Sequence, residues 1–475
     1  MQLFLSPDFN IRTLRKSPKS CMQKFKEKQQ ELFDSRLHNI GHLLRDYLPS
    51  SLFNDFNFQR QTRRRLFCTE NTFWGFFLQT LQSDGSCQSI VHQFKAFAQK
   101  IHGKTMSAST SAYCQARKRI PMELLNNIFE HTNLRGNSVH PLVNRRVVCA
   151  DGTGLLASDT QNNQEIWPQQ ANQKAGCGFP QIRLCALFNL HSGIALDYRV
   201  GNKRSHELPL LREQESSFRE GDIFIGDKGF ICYYDQARLL DLGVDSIVAL
   251  AKRKPVLAKH AKKKISDSDL VITVPKFTST SARKRYPEDR WSALPESIDM
   301  RQIQVDICIP GYRTERVYLL TTLLDSDAYP VEYITELYRQ RWRVEIFFRD
   351  LKSTLGMEFL RGKNPEMVEK EIKMFFIVNN VIRLLILDSR SHDEGEKSFK
   401  SSAQILQAYG ENGTGNFNGS QKSLMRNLLK NISECRVLKR PERVEPRVVK
   451  LRPKPFKWMM KPRSELRLEL HRKAA

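Results

Sequence analysis

The stretch "RRVVCADGTGLLAS", residues 145–158, decides how this chain of 475 residues is read. Before it, from about residue 22 to 135, apolar positions recur at helical spacing, as in "ELFDSRLHNIGHLLRDYL", and strand patterns are absent. From it onward short β-branched runs take over. The run "VVCA" reads as a buried strand, and Asp151 follows it with Gly152 behind, a position that leaves room for a backbone or a metal ion to approach.

Working outward, "QIRLCALFNL" and "GIALDYRV" read as two further strands joined by the turn "HSG". The segment "SHELPLLREQE" reads as a helix with Ser205 as N-cap. His206 and Glu207 are then helix-start residues, because neighbours on a helix diverge by about 100° and do not pair on a metal. "GDIFIGDKGF" is a buried strand ending in glycine, "YYDQARLLDLG" a helix closing on Gly243, and "SIVALA" another strand. Three strands, helix, strand, helix, strand describe an α/β layer whose helices cover a mixed sheet.

After the Lys-rich "AKRKPVLAKHAKKK" come the strands "LVITVP", "RQIQVDICI" and "ERVYLLTTL" with no helix between them, which read as an insertion. From Val331 the pattern is helical again through Ile386, broken near "LGMEFLRGKNP". Its most apolar run, "MFFIVNNVIRLLIL", is interrupted by two Asn and Arg383 and is too short to span a bilayer, so it reads as a core helix. The loop "GENGTGNFNGS" precedes a last short helix, and the tail from Arg436, rich in Arg, Lys and Pro, reads as extended. The expected organisation is a helical N-terminal domain over 1–140, a core over 141–252 and 331–390, a β-rich insertion over 253–330, and a helical and basic C-terminal region over 391–475.

Lys and Arg number 76 against 51 Asp and Glu, a formal charge of +25, and the excess is spread along the chain. That balance points to a polyanion, with nucleic acid foremost. Within the first domain "RQTRRR" and "STSAYCQARKRIP" offer Tyr113, Arg117, Lys118 and Arg119 to a phosphate backbone. The 10 cysteines form no CxxC pair, so neither a zinc module nor a disulfide framework is signalled. The start "MQLFLSPDFNIRTLRKSPKS" lacks the pattern of a signal peptide, and cytoplasmic residence is expected. The "GTG" after Asp151 is too short for a nucleotide-binding loop.

The chemistry is concentrated in "YRQRWRVEIFFRDLK", residues 338–352. At roughly 100° per residue Tyr338, Arg341, Glu345 and Lys352 fall within an arc of about 60° on one helix face, a stripe about 21 Å long. One acid among a phenol, a guanidinium and an ammonium is poor core material. It suits a surface holding an anion beside a metal, yet a divalent cation for phosphoryl chemistry usually takes more than one carboxylate. Asp151 and Asp227, each on or just after a predicted buried strand and each followed by glycine, are the candidates; Asp159 and Asp222, their rivals, lie in turn-like contexts.

The spacing Y, two residues, R, three residues, E, six residues, K resembles the signature of the insertion-sequence-four family of bacterial transposases. "ADGTG" and "GDKGF" are similar to that family's first and second aspartate motifs, and the resemblance runs from about Val147 to Lys352. It implies a ribonuclease H-like core in which Asp151, Asp227 and Glu345 form an acidic triad binding two magnesium or manganese ions. It also implies that Tyr338, Arg341 and Lys352 hold the DNA end. Members cut at terminal inverted repeats and join the freed 3′ hydroxyl to target DNA, acting as homodimers on paired ends in the bacterial nucleoid; some pass through a hairpin. Trp291 and Tyr318 are the aromatics available to hold a flipped base in such a step, though both read better as packed side chains. The alternatives are a transposase-derived repressor without catalysis, against which the complete set of motif residues weighs, and a metal-dependent nuclease that never joins.

Overall fold

The computed structural model describes residues 39–57, 67–82, 84–102, 106–250, 255, 258–277, 283, 286–307, 315–412, 421–437 and 459–474. They divide into two units. One comprises the described residues up to Leu124 together with Ser401–Ile432, and the other Leu125–Lys400 with the described residues from Ser433 on.

The first unit is helical, with α1 (Asn39–Leu43), α2 (Ser51–Asn57), α3 (Thr69–Leu81), α4 (Cys87–His102) and α5 (Ser111–Arg119) preceding α6 (Met122–Arg135). Helix α3 starts where the Cys68 sulfur accepts the Asn71 N–H and Glu70 faces the positive end of the helix dipole. It buries Phe73, Trp74 and Phe77, which meet one another and Phe53 of α2 mostly edge to face. The basic segment of α5 is used differently from the expectation. Tyr113 and Arg117 are buried and both donate to the Gln79 carboxamide oxygen, at 2.9 and 3.0 Å, and the Arg117 guanidinium lies over Phe76. A guanidinium stacked and bonded inside a core does not reach a phosphate backbone, so only Lys118 and Arg119, both exposed, keep that availability. "RQTRRR" lies outside the described residues.

The second unit is built on a ten-stranded sheet. Its first five strands are β1 (Val147–Ala157), β2 (Gln181–Asn189), β3 (Ala195–Asn202), β4 (Ile223–Gly226) and β5 (Asp245–Leu250). The helices α7 (Gln161–Ile166), α8 (Glu207–Arg212) and α9 (Tyr233–Asp241) lie among them in sequence. The expected order of strands and helices is present, with α7 added between β1 and β2, where the Thr160 hydroxyl caps Asn163. Helix α8 starts at Glu207 with His206 in the N-cap position, one residue later than expected, because His206 is the last residue with an extended backbone.

The insertion does not stand apart from this sheet. Strands β6 (Lys263–Ser266), β7 (Asp269–Pro275), β8 (Ser297–Ile307) and β9 (Glu315–Thr321) extend it, giving the order β3-β2-β1-β4-β5-β9-β8-β7-β6. A helix, α10 (Glu288–Ala293), interrupts the insertion where none was expected. It carries Trp291, 5% exposed, into a cluster with Tyr234 and Tyr286 and so cannot offer that ring to a base.

The last part of the unit is helical. It contains α11 (Val331–Gln340), α12 (Arg343–Arg349), a short strand β10 (Phe359–Leu360) and α13 (Pro365–Ser389), before α14 (Phe399–Asn412) and α15 (Gln421–Ser433). Helix α13 is the expected core helix, and its polar interruptions have partners. The Asn380 carboxamide pairs with both the N–H and the C=O of Ala195, and Arg383 binds Asp350 at 2.6 Å. The tail is not extended throughout. Its final stretch, rich in Leu, Glu and Arg, good helix formers, makes α16 (Arg463–Ala474), while residues 438–458 lie outside the described ones.

Candidate active site

Strand β1 pairs along its whole length with β2, but on its other side it is shared. Parallel β4 covers Val147–Cys149, parallel β10 covers Leu156 and Ala157, and no described strand covers the stretch between. Asp151 stands at the start of that split. The ladder with β4 ends at Cys149↔Ile225, and Asp227 follows β4 two residues past Ile225, as Asp151 lies two past Cys149. Asp151, inside β1, and Asp227, just past the end of β4, thus stand in matching register beyond the last pair that joins the two parallel strands. Their rivals are accounted for otherwise: Asp222 is buried in an ion pair with Arg146, and exposed Asp159 accepts from Gln164.

Side chains alternate along a strand, so Cys149, Asp151 and Thr153 face one side of the sheet and Gly152 and Gly154 the other. The first side is covered by α12: Phe347 and Phe348 pack on Phe188, which pairs with Cys149. Glu345 rides on this helix and is exposed, and its carboxylate makes no hydrogen bond or ion pair with a described residue. Lys352 reaches the same side, its Nζ donating to Thr153 Oγ1 at 3.4 Å.

The stripe read from "YRQRWRVEIFFRDLK" is not one regular helix face. Helix α11 ends at Gln340, Arg341 and Trp342 form a turn closed by the Arg341 N–H on the Tyr338 carbonyl, and a π-helical turn over Asp350–Thr354 carries Lys352. Nor is the stripe a surface throughout, since Tyr338 and Arg341 are 6% and 7% exposed. Stacking makes this burial tolerable: the Arg341 guanidinium lies 4.7 Å from the Trp342 ring and 5.8 Å from that of Tyr338.

Burial pushes the Asp151 carboxyl up to about 6, and the negative charges of Glu207 and Asp227 push the same way. The Gly152 N–H on its Oδ1, at 2.8 Å, and the positive charge of Arg341 oppose them. Asp227 Oδ1 accepts from the Gly229 N–H at 2.7 Å. Asp151, Asp227 and Arg341 are therefore gathered at one place, with Lys352 reaching Thr153, two residues along β1 from Asp151. Among the described residues no three His, Cys, Asp or Glu side chains already form a group able to hold a metal ion. The donors present are carboxylate oxygens, and the negative charges beside Asp151 raise its proton affinity, the chemistry a hard divalent cation satisfies.

Glu207 was missed as a neighbour of this site. A Cβ at Gly152 would stand 2.1 Å from its Oε1, and a Cβ at Gly229 would be 3.9 Å from its Oε2. Its position in sequence, the first helical residue after β3, marks only a helix start. The usable signal was the glycine after each aspartate, which leaves space for this side chain as well as for a metal.

A family model described as transposase DDE domain matches residues 144–381. The chain is 26% identical over 442 residues to the transposase InsG for insertion sequence element IS4 of Escherichia coli strain K12, an alignment covering 89% of this chain and 94% of that protein. It is 36% identical over 70 residues to the transposase for insertion sequence element IS421 of Escherichia coli, covering 15% and 18% of the two. A solved piggyBac transposase synaptic complex with hairpin DNA is similar at a TM-score of 0.43 with 10% identity, over 87% of this chain and 86% of that one.

Proposed function

The chain belongs to the transposase DDE domain family and is a DNA-cutting and DNA-transferring enzyme of the insertion-sequence-four type, and from that premise we propose a cut-and-paste transposase whose acids are Asp151, Asp227 and Glu345. The single observation that carries the reading is the matching register of Asp151 and Asp227, each two residues beyond the last pair joining the adjacent parallel strands β1 and β4. The order β3-β2-β1-β4-β5, with β1 to β3 antiparallel and β4 and β5 parallel to β1, supports a ribonuclease H-like core.

The three acids are suited to a pair of magnesium or manganese ions, which when bound supply activation of the attacking oxygen and neutralisation of charge on the leaving one. The chain's own groups prepare the rest. Asp151 and Asp227 hold their places through backbone N–H bonds, so little reorganisation is left for the reaction. Glu345, exposed on α12, completes the set as DNA is seated. Arg341, fixed by stacking, offers a positive field beside Asp151, and Lys352 meets a phosphate oxygen of the DNA end. Tyr338, against Arg341, fixes the guanidinium.

The substrate is double-stranded DNA at the element's terminal inverted repeats and then target DNA, with two copies of the chain acting on paired ends. The expected place of work is the bacterial nucleoid. No helix among the described residues is long and apolar enough to cross a membrane. The test incubates purified full chain with duplexes carrying the element's ends and magnesium, beside Asp151→Asn and Glu345→Gln. Metal-dependent cleavage followed by joined products, lost in both variants, supports the reading. Cleavage without joining replaces it by a nuclease, and binding alone by a repressor.

A further inference from the structure

The two faces of the split strand are unequally provided. On the face of Asp151 lie α12, Arg341 and Lys352. On the other face lies α8, whose Leu210 and Leu211 join Ala150, Cys185 and Leu187 in the core, and whose first residue is Glu207. Glu207 is 30% exposed and pairs with Arg183 at 3.7 Å, long for a direct ion pair. Arg183 faces the same side, paired across β2 with Gly154 on one flank and Gly201 on the other.

The carboxylate of Glu207 does not merely lie near the aspartates. Its Oε1 occupies the space that any side chain at position 152 would need, 2.1 Å from where a Cβ would be, so residue 152 has to be glycine for the carboxylate to lie there. Its Oε2 and the Asp227 Oδ1 flank one point, 3.9 and 2.9 Å from a Cβ built at Gly229. Glu207 therefore lies against the backbone of both aspartate motifs at once, at the glycine that follows each. As the first helical residue, Glu207 also faces the positive end of the short helix α8, and its pairing with Arg183 is loose.

We infer that Glu207 is a fourth carboxylate of the centre, drawing the same divalent cation as Asp151 and Asp227 from the opposite face of the sheet across the bare position 152. The inference rests on the reading of the aspartates as metal ligands. A fourth acid raises the charge of the centre toward a hard cation, and without metal it adds to the like-charge repulsion on Asp151 that a cation would relieve.

The test reads metal binding by the full chain without DNA. Manganese is titrated and followed by electron paramagnetic resonance and calorimetry, for wild type, Glu207→Gln, Gly152→Ala and Asp151→Asn, with circular dichroism to verify folding. Glu207→Gln should weaken manganese affinity about tenfold or more, the scale for groups that hold or support a ligand set. Gly152→Ala should do the same with all four acids retained, because its methyl displaces the Glu207 carboxylate. In parallel, iron(II) replaces manganese in wild-type protein, with ascorbate and peroxide, and the backbone is mapped for hydroxyl-radical cuts, expected near residues 151, 227 and 207. Wild-type affinity in both variants, or cuts at 151 and 227 with none near 207, overturns the role of Glu207 and leaves the aspartate reading in place. Unchanged manganese binding in Asp151→Asn overturns the aspartate reading itself.

Discussion

Asp151, within β1, and Asp227, just past β4, occupy matching positions, each two residues beyond the last residues that pair these parallel strands, Cys149 and Ile225. Paired parallel strands fix the spacing of the two positions, which suits the proposed sharing of cations. Asp151→Asn and Asp227→Asn are each expected to lower strand cleavage by roughly 10³-fold or more, a loss of several kcal/mol of transition-state stabilisation. Binding of end DNA without metal should persist, since each change removes a negative charge near phosphates. Cleavage assays and gel shifts on the same preparations measure the two, and near wild-type cleavage by either variant would sink the assignment.

Much of this centre was legible because its signals are local. A β-branched run before Asp151, another before Asp227 and the glycines after them marked each acid as lying on or just after a buried strand, and Asp151 does lie on β1 and Asp227 just after β4. The helical stripe was legible as a set of residues but not as a shape. Periodicity assumes an unbroken helix, and the turn at Arg341 and the π-helical turn at Lys352 arise from tertiary packing that no window of sequence contains. Arg341 and Arg117 illustrate a second limit. Charge marks a side chain as a candidate for the surface, yet stacking on Trp342 in one case, and on Phe76 with a bond to Gln79 in the other, makes burial affordable. Glu207 was hidden for a third reason, because only the fold brings the start of α8 over Gly152.

Lys352 donates to Thr153 from a π-helical turn, which leaves its ammonium two more protons for a phosphate. Lys352→Ala should weaken binding to all duplexes alike and reduce the slope of log affinity against log salt by about one unit. Titrations of end DNA and unrelated DNA across a salt series measure this. An unchanged slope removes Lys352 from the interface.

Asp222 tests the separation of structure from chemistry. Its carboxylate binds Arg146, accepting from Nε at 2.7 Å, and also takes the Arg219 N–H at 2.8 Å, with its side chain 3% exposed. Removing one partner of a buried pair leaves the other charge uncompensated, at a cost of about 3–5 kcal/mol. Asp222→Ala should therefore lower the unfolding midpoint markedly in denaturant, whereas Asp227→Asn, five residues on, should leave it near wild type. Equal stability of the two variants would refute the division.

Lys373 gives a pH dependence of stability whose sign is fixed by burial. Its ammonium lies 4.6 Å from both the Phe129 and the Tyr198 ring, contacts that favour the cation, and Asp197 and Glu130 favour it too. Desolvation nevertheless prevails and lowers its pKa to about 8, with Arg199 adding to the depression. A base whose folded pKa is lower than its unfolded one binds fewer protons in the folded state, so its penalty is full below about pH 8 and fades as pH rises toward the unfolded value near 10.4. Lys373→Met, of similar length and without charge, should accordingly be the more stable protein at pH 7, by on the order of 1 kcal/mol. Its advantage should shrink as denaturant unfolding is repeated up to about pH 9.5, below the range in which burial holds the Tyr198 phenol protonated. A variant less stable than wild type at pH 7, or an advantage constant with pH, would mean that the rings and acids outweigh desolvation and that Lys373 is charged in the fold at little cost.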